Sequence, residues 1–323
     1  MFERYRDTSV RHHPAPSSKS DDLPFDLELT RRVNGEMMVP KWGTRDPADP
    51  PVVDSFDDLP NGADMAEPFE PVLGGELMLP QRGIDIVPSL WSRLPMVRFG
   101  HGETPIEAQI RLTRHDRAML RAFDDLRTQL LRTMHGAGWS RIAIAAPTAG
   151  CGASFTALNL ALAIARIPDA RALLMDMDQR TPSIAAMLGI KARGGMHRLL
   201  SGDVTLHDHL VKPAETLTLG LGQGHAPNPS EVLHARRTGE VLDEVLETLR
   251  PDITLYDLPP MLEHDDLEAF LPQVDGVLLV ADATRTLARQ ITECERRLEG
   301  KSHLLGVILN RTRPSRESAR RAA

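Results

Sequence analysis

The stretch RIAIAAPTAGCGASFTALNLALAIAR, residues 141–166, decides the fold. Residues 141–146 form a short apolar run that is typical of a buried strand, and residues 153–166 form an apolar helical stretch. The turn between them, residues 147–152, contains two glycines, which favour a tight change of direction. A strand that turns directly into a helix is one half of a β-α-β unit, so this stretch predicts an α/β fold.

The same alternation of apolar runs and helical stretches continues to residue 310. Helical stretches are predicted at residues 229–249 and 286–300, and a periodic apolar face from Met119 to Met134 predicts a helix before the first strand. Strands that alternate with helices predict a doubly wound, mostly parallel sheet. The further strands are predicted at ARALLMD (170–176), TLTLGL (216–221), ITLYD (253–257), GVLLVAD (276–282) and LLGVILN (304–310).

The first 105 residues differ from the rest in composition. They hold 14 of the 25 prolines, and residues 1–100 carry 17 acidic against 11 basic side chains. Because proline removes backbone donors and charge resists collapse, this segment is predicted to be a long disordered, acidic, proline-rich arm. Residues 106–312 are predicted to form the α/β domain, and the basic residues 313–323 a disordered tail.

Composition also excludes several classes of protein. The formal net charge of −7 argues against a protein that coats nucleic acid, and two cysteines cannot form a disulfide framework. No apolar run approaches the ~20 residues of a membrane span, and the first residues lack the apolar stretch of a secretion signal. We therefore expect a cytoplasmic protein that reaches a membrane only through a partner.

Ligands of doubly wound sheets bind at the carboxyl ends of the strands, so the loops that follow the strands are the candidate site. The turn at residues 147–154 presents backbone N–H groups at a helix N-terminus, an arrangement that suits phosphate. It resembles the Walker A motif G-x-x-x-x-G-K-[ST], but Pro147 replaces the first glycine and Ala153 replaces the lysine. A plain tight turn into a helix remains an alternative.

Three aspartates follow predicted strands. Asp176 and Asp178 end one strand, and Asp257 ends another. Aspartates in such positions often form turns or helix caps. Beside a phosphate-binding turn, they could instead surround Mg²⁺, which prefers oxygen ligands.

Taken together, residues 114–312 resemble the cytoplasmic P-loop domain of the bacterial tyrosine kinases, or BY-kinases, and most of all the branch associated with exopolysaccharide assembly. This family is related to the cell-division and plasmid-partition ATPases. The resemblance rests on motifs in the family's order: LRTQLLR (126–132), PTAGCGASFTALNLALAIA (147–165), LLMDMDQRTPSIAAMLGI (173–190), HRLLSGDVTLHDHL (197–210), PNPSEVL (227–233), YDLPPML (256–262), VDGVLLVADATRT (274–286) and LLGVILNRT (304–312).

The resemblance implies a site for ATP and Mg²⁺. Asp176, Asp178 and Asp257 would be the catalytic acids, and Ser154, Asp176 and Asp257 would hold the metal. The residues implied to bind the nucleotide are Gly150, Cys151, Gly152, Ala153, Ser154, Phe155, Arg180, which could also contact a neighbouring subunit, and Asn310, which would read the adenine.

The chain also departs from the family pattern. Ala153 removes the ammonium that bridges the β- and γ-phosphates, and the family's tyrosine-rich C-terminal tail is absent, since the only tyrosines are Tyr5 and Tyr256. The subunit-contact pattern E-x-x-R-x-x-R reads Arg121, Asp124 and Arg127. These differences predict weak or absent turnover.

Three functions are compatible with these residues. The first is a BY-kinase-like component of exopolysaccharide biosynthesis or export that binds Mg-ATP. The second is a catalytically dead scaffold or regulatory pseudokinase, and the third is a partition-type positioning ATPase. For the first two, the resemblance implies a membrane-embedded polysaccharide co-polymerase or chain-length determinant as partner, homo-oligomers, and a place in the cytoplasm or at the inner membrane through that partner.

Overall fold

The computed structural model describes residues 89–99 and 102–312, together with the backbone of residues 29–30, 32–33 and 36–37. Most of the predicted arm, and all of the predicted tail at residues 313–323, lie outside the described residues.

An eight-stranded sheet forms the centre of the molecule, with the strand order β1-β10-β9-β4-β8-β5-β7-β6. Its strands are β1 (Leu29–Thr30), β4 (Arg141–Ala145), β5 (Ala172–Asp176), β6 (Val211–Ala214), β7 (Leu217–Gly220), β8 (Ile253–Asp257), β9 (Gly276–Asp282) and β10 (His303–Asn310). Strands β2 (Arg32–Val33) and β3 (Glu36–Met37) pair separately with each other.

Helices cover both faces of the sheet. They are α1 (Leu90–Arg93), α2 (Pro105–Leu112), α3 (Arg117–Ala137), α4 (Ala153–Ile164), α5 (Ile184–Leu188), α6 (Met196–Leu200), α7 (Leu206–His209), α8 (Pro229–His234), α9 (Arg236–Leu249), α10 (Asp266–Phe270) and α11 (Ala288–Leu298), with a 3₁₀ turn at Leu271–Gln273. Among the described residues, the longest helix, α3, is too polar to cross a bilayer, and no other helix fits such a span.

The prediction of a doubly wound, mostly parallel sheet is confirmed. The six inner strands are parallel to one another, in the order β10, β9, β4, β8, β5 and β7. The outermost strands β1 and β6 run antiparallel to β10 and β7. The inner strands β4, β5 and β8 are apolar on both faces because α4 packs on one face of the sheet and α9 on the other. This arrangement places the carboxyl ends of the inner strands at one edge.

The predicted domain boundary at residue 105 is wrong at the end of the arm. Trp91 and Phe99 are buried, and the Trp91 indole N–H donates to the carbonyl oxygen of Glu215 at 2.8 Å. The backbone N–H of Val97 donates to the carbonyl oxygen of Lys212 at 3.0 Å, so this segment lies beside β6. Short apolar islands within a proline-rich segment thus gain enough burial from the domain to become part of it.

Candidate functional site

The loops that follow β4, β5 and β8 converge at the carboxyl edge of the sheet, as predicted. Strand β8 lies between β4 and β5, and the register of the β5–β8 pair places Asp176 directly beside Asp257. A cleft of about 470 Å³ is lined by residues 148–155 and by residues of the loops after β5 and β8, namely Asp178, Arg180, Thr181, Ser183, Leu258, Pro259, Pro260, Glu263 and His264. A volume of this order matches a small-molecule site.

The loop between β4 and α4 depends on two glycines in the left-handed region. Gly150 has φ +78° and Gly152 has φ +95°, and the second directly precedes the first turn of α4. No side chain caps the N-terminus of this 12-residue helix. Its first backbone N–H groups, with the positive end of the helix dipole, are therefore available to an anion in the cleft.

Replacement of Gly152 by alanine is expected to disrupt this loop. A Cβ atom at Gly152 would lie 2.2 Å from Asn310 Nδ2, in a backbone conformation that L-residues rarely adopt. We expect Gly152→Ala to cost roughly 1–2 kcal/mol of the free energy of unfolding. Thermal melting would measure the loss, and Gly136→Ala, at a helix position where a Cβ meets no atom within 4 Å, is the control. Equal melting temperatures for both variants would contradict the loop geometry.

Two arginines that the sequence analysis did not single out hold the carbonyl group of Gly150. Arg285 Nη2 donates to this carbonyl oxygen at 2.7 Å and Arg311 Nη1 at 2.9 Å. Both guanidinium groups also contact the fully buried carboxylate of Asp282 at the end of β9. Burial alone would raise the pKa of Asp282, but hydrogen bonds from Thr284 and the two arginines outweigh it and hold that pKa to about 2. Asp282 ends a predicted strand, a position that could have identified it from sequence.

Asp176 and Asp257 are fully buried beneath the cleft and are incompletely paired. Asp176 Oδ2 accepts hydrogen bonds from the backbone N–H groups of Ser183 and Ile184, whereas its Oδ1 and both carboxylate oxygens of Asp257 have no hydrogen-bond partner. Unsatisfied buried polar atoms are costly in a folded protein, so these three oxygens call for an explanation by function.

Both carboxyl groups have raised pKa values. Burial raises the pKa of Asp176 to about 7, and the charge of Asp178 adds to the rise, against the backbone N–H groups of Ser183 and Ile184. Burial, followed by the charge of Asp176, raises the pKa of Asp257 well above its ordinary value, while the nearby Ser154 hydroxyl, which makes no hydrogen bond of normal geometry to this carboxylate, opposes the rise. Two buried carboxylates side by side are stabilised either by protonation or by a bound cation.

The arrangement of Ser154, Asp176 and Asp257 fits Mg²⁺. The unpartnered oxygens are hard ligands, and Mg²⁺ is commonly held by one or two carboxylates together with substrate phosphates and water. In the described ranges, no group of three or more His, Cys, Asp or Glu side chains could hold a metal.

Asp178 and Arg180 lie at the cleft but are largely engaged within the protein. Asp178 accepts hydrogen bonds from the backbone N–H groups of Arg180 and Thr181 and from the Thr181 hydroxyl, so it shapes the loop after β5. Arg180 Nε donates to Asp266 Oδ2 at 2.9 Å, which holds the guanidinium at the rim of the cleft. The catalytic role predicted for Asp178 and the phosphate contact predicted for Arg180 stay predictions.

The remaining predicted nucleotide-binding residues lie in or against the loop between β4 and α4 and at the start of α4. Cys151 is buried, and its carbonyl oxygen accepts a hydrogen bond from Asn310 Nδ2 at 2.8 Å. Asn310 is thus placed to brace the loop, and its predicted contact with adenine stays a prediction. Ala153 and Phe155 line the cleft, and the Phe155 ring packs against Phe123 with centroids 6.1 Å apart.

Glu263 is a cleft residue that the sequence analysis missed. Its Oε1 accepts a hydrogen bond from the backbone N–H of Ala149 at 2.7 Å. A carboxylate thus occupies a backbone donor of the loop that was predicted to bind phosphate. Nothing in the local sequence signalled this contact, because residues 149 and 263 meet only in the folded chain.

A larger cleft of about 940 Å³ lies at the opposite edge of the sheet, lined by residues that include Trp139, Asp275 and His303. Trp139 and Asp275 precede β4 and β9, and His303 is the first residue of β10, so the cleft lies at the amino ends of the strands. Ligands of open α/β sheets bind at the carboxyl ends. The smaller cleft, with its unpaired carboxylates, is therefore the candidate site.

Comparison with known proteins confirms the resemblance found in the sequence. No protein-family model matches the chain. EpsB of Ralstonia nicotianae, assigned as a tyrosine-protein kinase, is 30% identical over 207 residues, which cover 62% of this chain and 26% of EpsB. ExoP of Rhizobium meliloti, a succinoglycan biosynthesis transport protein, is 30% identical over 176 residues, which cover 53% of this chain and 22% of ExoP. The chain thus spans about a quarter of the length of these curated relatives.

The fold agrees with that of a solved kinase domain. The crystal structure of the VpsO kinase domain is 27% identical, with a TM-score of 0.53, and the match covers 65% of this chain and 96% of that domain. The relatives of the chain are accordingly bacterial tyrosine kinases, and its fold is that of their kinase domain.

Proposed function

We propose that this chain, a homologue of the bacterial tyrosine kinases, binds a magnesium nucleotide in the cleft at residues 148–155 and turns it over weakly or not at all. The observation that carries the proposal is the set of unpartnered, buried carboxylate oxygens of Asp176 and Asp257 beside a helix N-terminus that no side chain caps. Anionic phosphates and a divalent cation would satisfy both sets of groups at once.

Each part of the site has a role in this proposal. The backbone N–H groups at the start of α4 would bind the phosphates, and the Ser154 hydroxyl with Asp176 and Asp257 would hold Mg²⁺. When bound, Mg²⁺ would neutralise phosphate charge and orient the phosphates. Arg285 and Arg311 would keep the loop in its binding conformation through the carbonyl group of Gly150.

Weak turnover is proposed because Ala153 replaces the lysine of the Walker A motif and because the subunit-contact pattern on α3 is changed. Ala153 lines the cleft where a lysine would offer an ammonium, and removal of a preorganised group of this kind typically costs ~10²–10³ in rate. On α3, Asp124 pairs with Arg127 and Arg166 of the same chain, and Arg127 also donates to the Ala163 carbonyl oxygen. These side chains are thus engaged within the subunit rather than offered to a neighbour.

The cellular role is proposed from the relatives. EpsB and ExoP relate the chain to tyrosine kinases and to succinoglycan transport, which supports a role in exopolysaccharide biosynthesis or export. The partner would be a membrane-embedded polysaccharide co-polymerase, and the chain would act in the cytoplasm, at the inner membrane through that partner.

A scaffold or regulatory pseudokinase is the second candidate. It is favoured by Ala153 and by the burial of Tyr256, which is fully enclosed in β8 and unsuited to phosphorylation. This candidate predicts that the cleft does not bind nucleotide.

Calorimetric titration distinguishes the two candidates. We expect Mg-ADP or Mg-ATP to bind the chain of 323 residues, and Asp257→Asn to weaken binding about tenfold or more, because the substitution removes a carboxylate ligand of Mg²⁺. Asp243→Asn, an exposed change on α9 with the same loss of charge, is the control and should leave the affinity unchanged. The absence of binding by the natural protein would favour the scaffold.

A further inference from the structure

We infer that Glu263 makes the cleft selective for nucleoside diphosphates over triphosphates. This inference rests on the proposed nucleotide site and concerns which nucleotide that site holds. It starts from the hydrogen bond between Glu263 Oε1 and the backbone N–H of Ala149, and from the absence of an ammonium at Ala153.

The position of Glu263 is fixed by its backbone. The N–H of Met261 donates to the carbonyl oxygen of Ala146 at 2.8 Å, and the N–H of Leu262 donates to that of Pro147 at 3.0 Å. These two bonds hold the chain after β8 along the start of the phosphate loop. The Glu263 side chain then accepts the hydrogen bond from the backbone N–H of Ala149, so three contacts hold residues 261–263 against the loop.

The Ala149 donor lies away from the helix N-terminus within the loop. The N–H groups at the start of α4 can bind one end of a phosphate chain, whereas a longer chain needs the further donors of the loop and a lysine that reaches the β- and γ-phosphates. Here Glu263 occupies the Ala149 donor, and Ala153 supplies no charge. A diphosphate keeps the donors of α4, but a third phosphate would meet a carboxylate.

The charges around the cleft also disfavour a triphosphate. Among the described residues that line it, Arg180 is the arginine, and it is paired with Asp266, while Arg285 and Arg311, which hold the loop at Gly150, are both paired with Asp282. The acidic groups in or beneath the cleft are Asp176, Asp178, Asp257 and Glu263. One Mg²⁺ leaves the additional negative charge of a triphosphate without an unpaired cation, and the exposed carboxylate of Glu263 repels that charge, although water weakens the repulsion.

Titration calorimetry with Mg-ADP and Mg-ATP on the chain of 323 residues and on Glu263→Gln tests the inference. We expect the natural protein to bind Mg-ADP about tenfold more tightly than Mg-ATP. Glu263→Gln keeps an oxygen acceptor for Ala149 but removes the charge, so its two affinities should agree within about threefold, mainly through tighter binding of Mg-ATP. Glu247→Gln, an exposed change on α9, should keep the tenfold ratio.

Equal binding of the two nucleotides by the natural protein, or a ratio that Glu263→Gln leaves unchanged, would overturn the selectivity while leaving the nucleotide site in place. If neither nucleotide binds the natural protein or Glu263→Gln, the proposed function fails, and the selectivity fails with it.

Discussion

The variant Ala153→Lys should bind Mg-nucleotide roughly 10- to 150-fold more tightly than the natural protein. Ala153 is the first residue of α4 and lines the cleft, so a lysine side chain there would extend beside the bound phosphates. A charge-assisted hydrogen bond of this kind contributes about 1.5–3 kcal/mol. Titration calorimetry measures the affinity, and a phosphate-release assay with ATP should show a parallel rise in turnover, because the ammonium also stabilises charge in the transition state.

Two further variants make this prediction specific. Ala235→Lys adds the same charge at an exposed position between α8 and α9 and should leave the affinity unchanged. Asp257→Asn in the Ala153→Lys background should reverse most of the gain. A gain that persists in the double variant would show that Mg²⁺ is not held by this carboxylate. An affinity that Ala153→Lys does not change would contradict the placement of residue 153 against the phosphates.

The variant Asp176→Asn should stabilise the protein without nucleotide at pH 8 and weaken its binding of Mg-nucleotide. Burial raises the pKa of Asp176 to about 7 in the folded chain, above its ordinary value. A carboxyl group whose pKa is raised by folding contributes its full stability at a pH below its ordinary pKa. This contribution is lost as the pH rises through the folded pKa of about 7. At pH 8 the folded chain thus holds a buried, unfavourable charge that asparagine does not carry.

The expected gain is on the order of a few kcal/mol, or about 5–10 °C in the melting temperature at pH 8. Melting curves between pH 4 and 8 measure it. The natural protein should lose stability relative to Asp176→Asn across this range, and the two should converge near pH 4. Saturating Mg-nucleotide should stabilise the natural protein more than the variant. A variant that is less stable at pH 8 would show that the charge of Asp176 is already compensated.

Much of the fold followed from local sequence patterns. The predicted strands at residues 253–257 and 276–282 match β8 and β9 from end to end, because strands buried on both faces are continuous apolar runs. The helix predicted at residues 229–249 is instead two helices, since Ala235 adopts an extended conformation between α8 and α9. The segment at residues 89–99 also escaped prediction, because its burial depends on partners more than a hundred residues away, such as Glu215.

The sequence by itself determined the alternation of the inner strands with helices, the glycine turn before α4, and the aspartates that end β5 and β8. These features are local, and the rule that ligands bind at the carboxyl ends of parallel strands then places them together. Only the tertiary structure decided how each group is used. It leaves the oxygens of Asp257 unpartnered, engages Asn310 with the loop, and brings Glu263 to Ala149. Such pairings join residues distant in sequence, and their energies depend on burial and charge that exist only in the folded chain.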